Sequence, residues 1–201
     1  RILVTTFTTT LAITIKDHLA RLSPDAARKI EVVNLYALAR TICIRSGWRG
    51  QIATEEEIKD IWDNVWSDAS LSELPMSKEE LVKEFNEVVD PNGIEDEDAY
   101  LTTMRSGRPR ISRRMRRLAW KVFRLFQRGL KKRNRLTFEG AIHQARLAVE
   151  QGNFEKYRHV LVDEVQDFSL EALRLIRALS PIEEECRDPL CTVGDGHQRI
   201  Y

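Results

Sequence analysis

The chain has 201 residues, 42% of them hydrophobic and 31% charged, with a formal net charge of +1. That is enough apolar material for one sizeable core, or one core plus an insert. No apolar run reaches the ~18 residues of a membrane span and no secretory apolar region is present, which excludes a helical membrane protein. Cys43, Cys186 and Cys191 form no C-x-x-C pair, which argues against a zinc site or a disulfide framework and for reduced thiols in the cytosol.

In chain order, residues 2–5 read as a short β-branched strand. Thr8 to Leu22 read as a helix with Leu11, Ile15, Leu19 and Leu22 on one face. Ser23-Pro24-Asp25 reads as a loop, Ile30 to Leu35 as a second strand, and Leu35 to Ile44 as a helix ending near Ser46-Gly47. Thr54 and Glu57 make a capping box. Behind it Ile58, Ile61, Trp62, Val65 and Trp66 mark an amphipathic helix whose tryptophans are expected in the core. Ser77 and Glu80 repeat the box ahead of Leu81, Val82, Phe85, Val88 and Val89. Asp90-Pro91-Asn92-Gly93 is a turn, with a short helix expected around 97–104. Ile111, Met115, Leu118, Val122, Phe126 and Leu130 stripe a long helix. Leu136 to Ile142 returns the chain to the core, and a helix to about Gln151 follows, closed by Gly152-Asn153. An apolar run, Val160-Leu161-Val162, reads as a buried strand. Ser169 to Leu179 is helical, with Leu170, Leu173, Ile176 and Leu179 on one side and Pro181 beyond its end. Glu183-Glu184-Glu185 reads as an exposed loop and Leu190 to Val193 as the last strand. The expected architecture is α/β, a parallel sheet with flanking helices built from residues 1–45 and 136–201, interrupted by an all-α insert at 46–135.

The near-zero net charge hides a segregation. Residues 55–98 are dominated by acids, whereas from Arg105 to Arg135 there is no acid at all. Such a block is a candidate nucleic-acid surface through Arg113, Arg114, Arg116 and Arg117, because neutralising phosphates releases counterions. The alternative is that it pairs with the acidic helices upstream or is simply solvated.

The stretch that organises the chain is Val160-Leu161-Val162-Asp163-Glu164-Val165-Gln166-Asp167. Carboxylates at the exit of a buried strand sit where open α/β sheets bind ligands. Asp163 suits magnesium, which takes oxygen ligands, and Glu164 suits acceptance of a proton from water. The same string is also what a strand followed by an acidic helix cap would look like. The context is more telling. The head reads Ile2-Leu3-Val4-Thr5-Thr6-Phe7-Thr8-Thr9-Thr10-Leu11-Ala12 and the tail Cys191-Thr192-Val193-Gly194-Asp195-Gly196-His197-Gln198-Arg199-Ile200-Tyr201. In this order the three strings resemble the TFTNxxA, DExQD and GDxxQxIY motifs of superfamily 1 helicases of the UvrD/Rep/PcrA group, with Thr9-Thr10 where that family often has Asn-Lys.

The resemblance implies a P-loop NTPase-like (RecA-like) motor domain using ATP and Mg2+. By that resemblance Asp163 holds magnesium, Glu164 is the general base, and Gln198 senses the γ-phosphate from a turn made by Gly194-Asp195-Gly196. Gln166 and Asp167 organise the first turn after the strand. Phe7 stacks on a base and Thr8 offers a hydroxyl to phosphate. Tyr36 lies where the family has a DNA-contacting T-F/L-H-S motif, here Asn34-Leu35-Tyr36-Ala37, and Tyr201 stacks on DNA. Partners implied are single-stranded and duplex DNA and a second motor domain downstream. No G-x-x-x-x-G-K-S/T occurs, so the phosphate loop is expected upstream of Arg1 or does not exist, and the 201 residues alone are expected to be inactive. The implied activity is an ATP-driven DNA helicase in the bacterial cytoplasm, associated with the nucleoid. The rivals are a non-catalytic helicase-like nucleic-acid binder and a metal-dependent nuclease using Asp163 and Glu164.

Overall fold

The computed structural model describes residues 1–67, 76–105, 109–182, 184 and 186–195. The chain splits into two compact units, Arg1–Trp48 with Ala141–Tyr201, and Arg49–Gly140. Among the described residues no helix is long and apolar enough to cross a membrane.

The first unit is built on a parallel sheet. Its strands are β1 (Ile2–Thr6), β2 (Ile30–Asn34), β5 (His159–Val162) and β6 (Leu190–Thr192), in the order β2-β1-β5-β6. Pairing is in register at Leu3↔Val160 and Thr5↔Val162, and at Val162↔Thr192 on the other side of β5. The carboxyl ends of β1, β5 and β6 therefore finish side by side. Side chains alternate across a strand, so Leu3, Val160 and Val162 point into one core, closed by Leu35, Leu38, Ile42, Ile142, Val149, Phe168, Leu175, Ile176 and Leu179. The opposite face is more open: Leu161 is 40% exposed, so β5 is less buried than its unbroken apolar run predicts.

Four helices beside the sheet are α1 (Thr9–Leu22), α3 (Leu35–Arg45), α8 (Phe138–Glu150) and α9 (Leu170–Leu179). Ser169 caps α9 by accepting from Ala172 N at 3.1 Å. Ser23-Pro24-Asp25, expected as loop, instead opens a one-turn helix, α2 (Pro24–Ala27). Ser23 closes α1 with its backbone N–H and caps α2 with its hydroxyl. Proline is tolerated at a first helical position because that N–H has no intrahelical partner.

The second unit is mostly helical: α4 (Glu55–Trp66), α5 (Lys78–Glu84), α6 (Glu97–Thr102) and α7 (Arg113–Lys132). Both predicted capping boxes are formed, at Thr54/Glu57 and Ser77/Glu80. α5 runs on into a π-helical turn, Phe85–Val89. A two-stranded parallel ladder, β3 (Gln51–Ile52) with β4 (Arg135–Leu136), joins the start and end of the unit. Its core is aromatic. Trp62 stacks on Phe126 at 4.1 Å, Phe85 meets both edge to face and Phe123 at a tilt, and Tyr100 meets Phe123 edge to face and stacks on Trp120. Trp66, expected inside, is 39% exposed. The buried Glu84 carboxylate is satisfied by Arg105, through Nε at 2.6 Å and Nη2 at 2.5 Å, and by the Tyr100 hydroxyl at 2.9 Å.

Candidate functional site at the carboxyl edge of the sheet

Main-chain hydrogen bonds lace the three strand ends together. Asp163 N donates to Thr5 O at 3.0 Å, Val193 N to Val162 O at 2.8 Å, and Val165 N to Val193 O at 3.0 Å. The segments after β1, β5 and β6, which carry the head string, the centre string and the tail string as far as Asp195, thus leave the sheet at one edge.

Immediately after β5 the chain reverses. Glu164 has φ +53°, in the left-handed region. A non-glycine residue there costs about 1–2 kcal/mol and persists where its surroundings hold it. The reversal starts a 3-10 turn, Val165–Asp167, closed by Asp167 N donating to Glu164 O at 3.0 Å. Two neighbouring acids on either side of such a kink no longer follow the strand alternation. Asp163 accepts through Oδ1 from Glu164 N at 3.0 Å. Glu164 accepts through Oε2 from Gln166 Nε2 at 2.5 Å. Both acids are half-buried, so they are reachable from solvent and shielded on their inner side. Asp167 keeps one carboxylate oxygen, Oδ1, buried without a hydrogen-bond partner, so that oxygen does not organise the turn; the backbone and Gln166 do.

The donor set fits a magnesium ion in its usual protein setting. That ion is held by one or two carboxylates, with substrate phosphates and water completing six oxygens. Asp163 at the strand exit supplies such a carboxylate. Among the described residues no cluster of three or more His, Cys, Asp or Glu forms an all-protein cage, which is the arrangement a nucleotide-borne metal does not need.

At the β1 exit, Phe7 is half-buried and packs edge to face on Tyr36 at 6.0 Å and Phe168 at 5.8 Å. Thr8 caps α1, accepting from Leu11 N at 3.3 Å. Asn34 is buried and does two things at once. Its Oδ1 caps α3 by accepting from Tyr36 N at 3.0 Å and Ala37 N at 3.2 Å, while its Nδ2 donates to Thr6 O at 3.4 Å and to Phe7 O. In the sequence Asn34 stands only as the first residue of the string set against the T-F/L-H-S motif, without a capping role. The signal was an asparagine directly ahead of an apolar helical run, a strong N-cap. Phe7, Thr8 and Tyr36 are thereby brought together on one rim.

Gln198 and Tyr201 lie outside the described residues, as do Gly196, Arg108, Glu183 and Glu185.

The basic segment resolves into cations of two kinds. Several are consumed within the second unit. Arg105 is buried on Glu84, Arg133 reaches Asp60 at 2.6 Å, and Arg135 reaches Glu57 at 2.9 Å. Arg116 donates through Nη1 to the carbonyls of Tyr100, Leu101 and Thr103 at 2.8, 3.0 and 3.1 Å and lies over the Tyr100 ring. It is a clasp closing α6, set apart from its neighbours in sequence. Arg113, Arg117, Lys121, Arg124, Arg128 and Lys131 follow one another at spacings of three or four and are exposed, opposite the buried Val122, Phe126 and Leu130. With Arg114 and Lys132 they form one ridge along a helix of 20 residues, about 30 Å long. Among the described residues, Arg117 of this ridge pairs with Glu97 at 3.4 Å, both well exposed, and the pair is hence weak.

The chain is similar to known proteins in the same sense. The family model for the UvrD/REP helicase N-terminal domain matches residues 1–201. DNA helicase IV of Escherichia coli (strain K12) is 28% identical over 156 residues, which cover 77% of this chain and 22% of that protein's length. A parallel α/β sheet with the head string, the centre string and the start of the tail string at one edge, together with a family match over residues 1–201, places this chain in the UvrD/REP helicase N-terminal domain family.

Proposed function

We propose that the protein carrying this chain is an ATP-dependent DNA helicase that couples ATP hydrolysis to movement along single-stranded DNA and to duplex unwinding. The observation that carries the reading is the junction of the three strand ends around Asp163 and a left-handed Glu164. Magnesium, when bound, neutralises charge on the phosphate oxygens. In this reading Asp163 is its ligand, and Glu164 takes the proton from the attacking water. Gln198, seven residues beyond Cys191 in sequence, is the γ-phosphate sensor. Phe7, Thr8, Tyr36 and Tyr201 contact single-stranded DNA, the aromatic rings offering stacking faces. Residues 1–201 contain no G-x-x-x-x-G-K-S/T, so we read turnover as needing a phosphate-binding segment and a second motor domain outside them, and the 201 residues alone as inactive.

The α7 ridge is assigned to the DNA backbone. The assignment keeps Arg113, Arg114 and Arg117 and extends it to Lys121, Arg124 and Arg128. Arg116 is assigned to the fold, because three carbonyls already occupy its guanidinium. Replacing Arg113, Arg114, Arg117 and Lys121 together by glutamine is expected to reduce the slope of log affinity against log salt by up to about 3.6. The check is a fluorescence-anisotropy titration on duplex and forked DNA across salt concentrations. An unaltered slope removes the ridge from the interface. Arg116→Gln in parallel should lower the thermal midpoint and leave the slope near the parent's.

The test of the function itself is phosphate release by the full-length protein with and without single-stranded DNA, alongside displacement of a labelled strand. DNA-stimulated hydrolysis with strand displacement supports the reading. DNA binding without any hydrolysis would instead establish the non-catalytic helicase-like binder.

A further inference from the structure

We propose that Gln166 is a positioning residue that ties the Glu164 carboxylate to the loop after β6, so that the base is held only while that loop keeps its place; this rests on the reading of Glu164 as the base. One amide makes two hydrogen bonds of opposite sense. Nε2 donates to Glu164 Oε2 at 2.5 Å, and Oε1 accepts from Asp195 N at 3.1 Å. A flipped amide would set donor against donor and acceptor against acceptor, so the orientation is fixed by both partners. A side chain with donor and acceptor at one end is required, which glutamate and methionine at this position do not provide.

The contact is also tight. A Cβ on Gly194 would stand 2.3 Å from Gln166 Oε1 and 2.7 Å from Val165 Cγ1. A larger residue at 194 would therefore force the Gln166 amide and the Val165 side chain to shift. The main chain runs a second tie in parallel, Val165 N to Val193 O at 3.0 Å. Glu164 itself sits in the left-handed region at φ +53°, a conformation that relies on its neighbours. The amide is thus the link through which displacement of the Gly194-Asp195 backbone reaches the carboxylate.

The experiment is steady-state ATP hydrolysis by the full-length protein with saturating single-stranded DNA. The variants are Gln166→Met, Gln166→Glu, Gly194→Ala, the Gln166→Met/Gly194→Ala pair, and Glu164→Gln. Gln166→Met is expected to lower kcat by about 10–100-fold, as loss of an orienting partner does, with KM for ATP changed by less than about threefold. Gln166→Glu should fall at least as far, because it keeps the acceptor for Asp195 and places like charge on Glu164. Gly194→Ala should lower kcat in the same way, and the pair should be no slower than its worse member, since both remove one contact. Thermal midpoints establish that each variant is folded. Wild-type kcat in Gln166→Met beside a collapsed Glu164→Gln overturns the link and spares the base. A higher KM at unchanged kcat overturns it in favour of a binding role. Full turnover in Glu164→Gln removes the base and the link with it. Should Gln166→Met not fold, intact kcat in both Gln166→Glu and Gly194→Ala overturns the proposal.

Discussion

Glu164→Gln in the full-length protein will bind ATP and single-stranded DNA nearly as the parent does and turn over about 10²–10⁴-fold more slowly, the range that a positioned general base contributes. The substitution preserves size and leaves an oxygen that can still accept from Gln166 Nε2, which now binds Glu164 at 2.5 Å. The left-handed backbone at this position is stabilised by main-chain bonds on either side, Asp163 N to Thr5 O and Val165 N to Val193 O. What is removed is the capacity to take a proton. Equilibrium binding of a fluorescent nucleotide, beside single-turnover phosphate release, separates the two quantities. Turnover within a few-fold of the parent would exclude Glu164 from the base role.

The second large effect concerns stability. Glu171, in the first turn of α9, is 0% exposed. Its carboxylate meets His143 Nδ1 at 2.8 Å, Arg146 Nε, and Arg174 Nη1 at 3.0 Å. His143 and Arg146 belong to α8, so the cluster clamps two helices that cover one face of the sheet. Burial alone would raise this carboxyl, but the hydrogen bonds from His143, Arg146 and Arg174 outweigh it and hold the group at about 2, against an ordinary 4.5. The folded-state value is depressed. Its stabilisation is therefore complete above about 4.5 and lost as pH falls through about 2, and at neutral pH it amounts to something on the order of 3 kcal/mol. Glu171→Ala removes the buried carboxylate that joins α8 to α9 and is expected to cost about 3–5 kcal/mol. Urea denaturation of parent and variant between neutral pH and pH 2.5 tests both parts. The gap between the two should shrink through the acid window, and a constant gap would contradict the assignment.

The parts of the fold that were legible in sequence are those written in local chemistry. The capping boxes at Thr54/Glu57 and Ser77/Glu80, the stripe from Ile111 to Leu130, and the apolar run ending at Asp163 each need only a few neighbouring residues to specify them. What escaped depends on residues distant in the chain. β3 and β4 are two residues each and pair across an interval of more than eighty, too short to leave a periodic signal. The π-helical turn at Phe85–Val89 keeps an apolar pattern that an α-helix would also show. Glu171 reads as an ordinary first-turn acid until α8 delivers His143 and Arg146 to it. Arg105 and Arg116 read as members of one basic run, and only the packing of α6 against α7 sets them apart as internal ligands. At the site, residue types and motif order were legible, whereas the left-handed Glu164 was not. Nothing in the string Val162-Asp163-Glu164-Val165 dictates a positive φ; the strand-end bonds impose it.

The β3/β4 ladder has an architectural consequence. Its two strands run the same way, so the polypeptide comes back beside its own point of departure, displaced by one strand spacing of about 4.8 Å and still travelling in its original direction. Two or three residues could bridge that gap. The helical block hung between them is therefore a cassette: evolution, or a protein engineer, can lengthen, exchange or excise it by cutting at Ile52 and Leu136 without rewriting the path of the chain on either side.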